Sequence, residues 1–286
     1  LTDGTLDGTL NDAAALNTLD ESTSGQINAE SVGSISGSLS ELNTAYSASA
    51  SQITGLGNEA VTLTDGTLDG TLNDAAALNT LDESTSGQVN AESVGSISGS
   101  ISDLGTAYTS SEIDNLGDSD ETATTTDGTT TAAALNRLDD QTGSAKVDAG
   151  SVEIISGAVN ELNIAHESND ISNLGDSDIE VAITSDTTVA ASQLNRLDEN
   201  TLGTVDATSV QSVYGAVDTL NSSFEAVGIE GIDTDAPYKT VDSRTTNSTT
   251  TAAELVRLDE NTSGTANVDS IDYLSGSTTE LNALFN

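Results

Sequence analysis

The chain of 286 residues carries 47 Asp and Glu against six Lys and Arg, a formal charge of −41, and has no Cys. That charge repels nucleic acid and anionic lipid, which excludes both as partners, and a chain without cysteine has neither a disulfide framework nor a thiolate metal site. Only 35% of residues are hydrophobic and 2% aromatic, too little bulk for one thick globular core, and no apolar run approaches a membrane span.

Low hydrophobicity with high charge is also a mark of disorder, but here Leu, Ile and Val recur at fixed places. The 26 residues of 1–26 return unchanged at 63–88. In the first copy Asp12 is positioned to cap a helix in which Ala13, Leu16 and Leu19 share one face. The stretch "GQINAESVGSISGS" that follows, bounded by Gly and Ser, reads as strand. "SLSE" at 38–41 then opens a second helix, with an acid three residues after Ser and an apolar stripe of Leu39, Leu42 and Tyr46. "ITGLGNEAVTLTDG" reads as strand again and leads into the second copy. There "SISD" at 100–103 repeats the helix start, and "TAAE" at 251–254 has the form of a capping box.

The motif A-A-x-L-N-x-L-D phases the whole chain. Its first Leu is Leu16, Leu78, Leu135, Leu194 and Leu255, at spacings of 62, 57, 59 and 61. A second Leu follows 26 or 27 residues later, at Leu42, Leu104, Leu162, Leu220 and Leu281. The expected units are 1–62, 63–121, 122–180, 181–241 and a partial 242–286, with both ends inside a repeat and so cut from a longer protein. Helices this short do not stand alone in water. The expected fold is therefore an α/β repeat protein, an elongated parallel solenoid of about five two-rung units. The alternatives are a β-rich fibre with short helices and a string of tandem small domains.

The phasing also explains single residues that invite a chemical reading. His166, the one histidine, occupies the slot held by Tyr46, Tyr108, Phe224 and Phe285 in the other units, and is read as an aromatic position closing the stripe. Arg137, Arg196 and Arg257 share a slot, each with an acid three residues on at Asp140, Glu199 or Glu260; solvated pairing on the helix face is preferred over a strip for an anionic glycan. Asp3, Asp7 and Asn11, with their copies Asp65, Asp69 and Asn73, are spaced four apart. "NLGDSD" occurs twice and sets Asp118 beside Asp120 and Asp176 beside Asp178; in extended chain each pair offers calcium two hard oxygen ligands, so calcium is the one candidate cofactor.

No phosphate loop, dinucleotide fingerprint or zinc motif is present. Asn221, Asn247 and Asn261 begin N-x-Ser/Thr triplets of the kind a Ser/Thr-rich chain contains by chance. Residues 233–244 hold the only Pro and break the repeat, as a longer loop would.

Two resemblances follow. "AAALNTLDESTSG", "NTAYSASASQITGLGNEAVTLTD" and their degenerate copies resemble the long repeats of giant secreted surface proteins of marine cyanobacteria, over nearly the whole chain. "TAAELVRLDENTSG" at 251–264 is similar to the T-A-A-E-L-N-x-L-D-G repeats of bacteriophage tail fibres, with Val256 in place of Asn and Glu260 in place of Gly. The first resemblance implies an extracellular structural layer or fibre, and neither supplies catalytic residues. The expectation is a non-enzymatic, extracellular or cell-surface segment forming a stiff acidic rod, filament or coat. It would pair with itself and with surface glycan. The alternatives are a virion fibre that recognises a host surface and a calcium-dependent adhesion module.

Overall fold

The computed structural model describes residues 12–48, 52–68, 74–117, 121–174, 179–232, 242–262 and 264–285. The fold is α/β, with ten helices among the described residues: α1 (Asp12–Ser22), α2 (Leu39–Ala48), α3 (Asp74–Ser84), α4 (Ile101–Thr109), α5 (Ala132–Thr142), α6 (Val159–Glu167), α7 (Ala191–Asn200), α8 (Val217–Glu225), α9 (Ala252–Asn261) and α10 (Thr278–Phe285). The chain divides into two compact units. One comprises Leu1–Asp127, Arg137–Ser151 and Asp170–Ser172, the other Gly128–Asn136, Val152–Asn169 and Asn173–Asn286.

Every strand pairing among the described residues is parallel. Parallel neighbours need a crossover of a dozen residues or more, and here the helices provide it. In the second unit one sheet runs Thr129–Thr131, Ile154–Gly157, Glu180–Ile183, Val205–Asp206, Ile229–Glu230. Its strands therefore begin at 129, 154, 180, 205 and 229, so segments about 25 residues apart lie side by side. The register aligns Ile155, Val181, Val205 and Ile229 in one buried column. In the first unit Ile35, Val61, Val89 and Ile113 form an equivalent column.

The helices pack in sequence within each unit: α1 on α2, α2 on α3 and α3 on α4 in the first, and α6 through α10 successively in the second. Leu42, Leu78, Leu104, Leu135, Leu162, Leu194 and Leu220 are all fully buried. Full burial of a leucine contributes about 1.5–3 kcal/mol, which stabilises helices of eight to eleven residues that would not persist alone. Leu19 in α1 is 42% exposed although its equivalents Leu81, Leu138, Leu197 and Leu258 are fully buried. At the other end Phe285 is 77% exposed and α10 buries no residue, so Phe285 does not close a stripe as expected for that slot.

Helix starts are satisfied both locally and at a distance. Thr251 and Glu254 form the expected capping box at α9, Ser38 and Glu41 exchange the same bonds at α2, and Ser100 caps α4 by accepting from the Asp103 N–H. Asp12 is not the cap of α1, because the helix begins at that residue; there its charge complements the helix N-terminus instead.

The distant caps have no counterpart in the sequence reading. Asp65 Oδ2 accepts from Leu39 N at 2.6 Å, Asp127 Oδ2 from Ile101 N at 2.8 Å, and Asp186 Oδ2 from Val159 N at 2.7 Å. Asn247 Oδ1 accepts likewise from Val217 N at 3.2 Å. Each comes from a loop 26–30 residues further along, so a helix start is completed by the following segment. Asp186→Ala is expected to cost about 1 kcal/mol, the usual value of a lost cap, read as a lower urea midpoint with an unchanged slope.

Turns recur in the same way. Gly55, Asn115, Asn173 and Gly231 follow short strands at matching positions, with φ of 87°, 63°, 61° and 85°. Only Gly, and less readily Asn, enters that left-handed region at low cost. An added Cβ on Gly55 or Gly231 would also lie 2.7 Å or 2.9 Å from the backbone N of Glu30 or Thr208. The side chains of Asn28, Asn90, Asp148, Asp206 and Asn267 each accept from the N–H two residues on, five copies of one Asx turn.

Candidate functional site

A recurrent polar feature is a set of inter-helix hydrogen bonds made by the Asn of the Leu-Asn motif. Asn17 Nδ2 donates to Glu41 O, Asn43 to Ala77 O and Asn79 to Asp103 O in the first unit. In the second unit Asn136 donates to Glu161 O, Asn163 to Gln193 O, Asn195 to Thr219 O and Asn221 to Glu254 O, so that all seven distances lie between 2.9 and 3.2 Å. Gly105 stands at the corresponding place in α4. The signal was in the sequence, since Asn follows Leu in motif after motif, but spacing alone does not say that the amide reaches a neighbouring backbone. Asn195 Oδ1 also accepts from Ser223 Oγ at 2.5 Å. The Oδ1 atoms of Asn17, Asn79, Asn136, Asn163 and Asn221 are buried without a hydrogen-bond partner among the described residues.

The aromatic slot holds two buried tyrosine–glutamate pairs. Tyr46 donates its hydroxyl to Glu59 Oε2 at 2.9 Å, and Tyr108 donates to Glu121 Oε1 at 2.7 Å. Glu59 is wholly buried and Glu121 is 1% exposed. Loop N–H groups complete the cradle: Gly57 N lies 2.7 Å from Glu59 Oε2 and Gly117 N lies 2.7 Å from Glu121 Oε2. Burial, reinforced by the neighbouring carboxylate, raises both tyrosine pKa values above the usual phenol range. Burial also pushes the Glu121 carboxyl up, against the opposing pull of Tyr108 and Gly117. The pairs were legible as covariation within one chain. Each Tyr has Glu thirteen residues on, whereas His166 has Ile179 there.

His166 sits in that slot with no such partner; both ring nitrogens are buried without a hydrogen bond among the described residues. Burial lowers its pKa. The unfolded chain therefore binds the proton more readily than the folded one, and the stability contributed by the neutral ring is present above about pH 6.5 and lost as pH falls below it. His166→Phe is expected to stabilise the fold by about 1 kcal/mol. The gain should grow between pH 7 and pH 5, measured as the difference in urea midpoint from the parent chain.

The arginines correct the sequence reading. Arg196 pairs with Glu167 and Arg257 with Glu225, each on the preceding helix, instead of with Glu199 and Glu260. Stacking of α7 on α6 and of α9 on α8 brings those glutamates alongside. Asn200 and Asn261 donate to the same carboxylates at 3.2 and 2.8 Å. These pairs are solvent-exposed and contribute little. For Arg137 no ion pair is found among the described residues, with Asp140 or otherwise; Thr109 stands where α6 and α8 have Glu167 and Glu225.

The candidate calcium ligands Asp118, Asp120, Asp176 and Asp178 lie outside the described residues, as do Asp3, Asp7, Asn11, Asp69, Asn73 and most of the 233–244 loop. Of that acidic set only Asp65 is described, and it caps α2. Among the described residues no group of three or more acids or histidines is placed to hold a metal ion, and no helix is long and apolar enough to cross a membrane. Asn221 is wholly buried and its amide is bonded to Glu254 O, so its N-x-Ser triplet is closed to modification in the fold.

No protein-family model, curated protein or solved structure compared with this chain matches it.

Proposed function

We propose that this chain is a non-enzymatic structural segment, a parallel α/β solenoid of about five two-rung units that forms a stiff acidic rod, filament or coat at a cell surface. The observation that carries the reading is the recurrent Asn-to-carbonyl bond from one helix to the next. A contact copied at equivalent positions supports stacking as the product of the sequence, whereas a catalytic centre is one constellation in one place. The parallel ladders between segments about 25 residues apart support the same reading, as does the resemblance to secreted surface repeats. A charge of −41 suits an ion-rich exterior, where counterions screen self-repulsion.

Ten rungs at about 4.8 Å each would give a rod of roughly 50 Å. Small-angle scattering from the 286-residue chain tests this. The expected pair-distance distribution is mildly skewed, since a 28.9 kDa chain in a rod of that length is only modestly longer than wide. A symmetric distribution would contradict the rod, and a distribution with separate maxima would indicate tandem globules.

A further inference from the structure

One place in the second unit departs from the repeat in a coordinated way. On the sheet face opposite the buried apolar columns, cross-strand rows elsewhere read Ser36–Thr62–Asn90, Ser98–Thr124–Asp148 and Ser156–Ala182–Asp206. The corresponding row on strands Ser212–Gly215, Asp242–Thr245 and Ala266–Asn267 is Tyr214–Arg244–Asn267. The Arg244 guanidinium carbon lies over the Tyr214 ring, 5.3 Å from its centroid, within cation–π range. Lys146, Arg196 and Arg257 are paired with acids, but no carboxylate of the described residues lies within ion-pair distance of Arg244. Arg244 lines a cleft of about 400 Å³ together with Ser212, Asp242, Ser243, Thr265 and Asn267, of which Ser243 is wholly buried with its hydroxyl turned from solvent. Arg244, Asp242 and Asn267 are exposed, and Asp242 Oδ1 accepts from Thr265 N at 2.8 Å.

We propose that this cleft binds an acidic saccharide, with Arg244 holding the uronate carboxylate in its fork and Tyr214 fixing the orientation of that fork. Apart from Ser243, the lining side chains of Ser212, Thr265, Asn267 and Asp242 carry hydroxyl, amide and carboxylate groups, which suit a ligand dense in hydroxyl groups. Asp242, exposed in the lining, offers carboxylate acceptors to sugar hydroxyl groups. A sugar carries several hydroxyl donors for its oxygens, whereas inorganic phosphate brings one or two P–OH groups together with up to two negative charges close to the same carboxylate. A planar carboxylate also matches the two parallel N–H groups of the guanidinium. The site stands independently of the rod reading, since it needs only three neighbouring strands.

The test is calorimetric titration of the whole chain with trigalacturonate, with maltotriose and inorganic phosphate as comparison ligands. Tyr214→Ser and Arg244→Thr install residues that other rows already carry, so the fold is kept, which far-UV circular dichroism checks. Saturable binding of trigalacturonate, weakened at least about tenfold in both variants and in Arg244→Lys, is expected. Absence of saturable binding, binding unchanged in Tyr214→Ser or Arg244→Thr, full affinity in Arg244→Lys, or equal affinity for maltotriose or phosphate would each overturn the proposal.

Discussion

Leu194→Ala is expected to lower the unfolding free energy by about 2–5 kcal/mol, the range for removing a leucine from a close-packed core. Leu194 is fully buried in α7, which packs on α6 on one side and on α8 on the other. The lost methyl groups therefore leave a void bordered by three short helices, none of which is held by length alone. Collapse around the void is restrained, because Asn163 and Asn195 tie α7 to both neighbours. Urea unfolding followed by circular dichroism measures the effect; a loss below about 1 kcal/mol would mean that this position is not part of a tight stack.

Tyr108→Phe should have the next largest effect, about 1–3 kcal/mol and more while Glu121 is charged. The substitution keeps the ring and removes the donor, so Oε1 of a carboxylate that is 1% exposed loses its partner while Gly117 N still holds Oε2. Because burial already raises the Glu121 pKa, removal of the hydroxyl raises it further. A carboxyl with a raised folded pKa binds its proton more readily in the folded state, so stability is regained as pH falls through that value. The deficit of Tyr108→Phe should accordingly be smaller at pH 5 than at pH 7. The double variant with Glu121→Ile should recover most of it at both pH values, since it installs the residue type found thirteen positions after His166, at Ile179. Equal stability of Tyr108→Phe and the parent chain at pH 7 would show that the buried acid does not depend on this bond.

Much of the local structure was legible in the sequence. The short helices follow from Ala and Leu at helical spacing, and the two-to-four-residue strands from Val, Ile and Ser between turn residues. The Thr251–Glu254 box and the equivalence of His166 with tyrosine and phenylalanine positions were visible as pattern. The partners of polar side chains were not. Asp65 resembles one more acid in a row of acids until the fold sets it against the first turn of α2. Arg196 has an acid three residues on, yet packing offers one on another helix 29 residues back. Sequence spacing measures distance along one helix, whereas these bonds run between helices. The Tyr214–Arg244 pair was missed for the same reason, since thirty residues separate two side chains that the register makes adjacent.

The helices are expected to have no stable interior until neighbouring segments cover them. Circular dichroism of a peptide spanning residues 74–117, which contains α3 and α4, measured beside the full chain, tests this most directly. The peptide is expected to lack a cooperative thermal transition under conditions where the full chain unfolds sharply. A sharp, independent transition in the peptide near that of the full chain would contradict it.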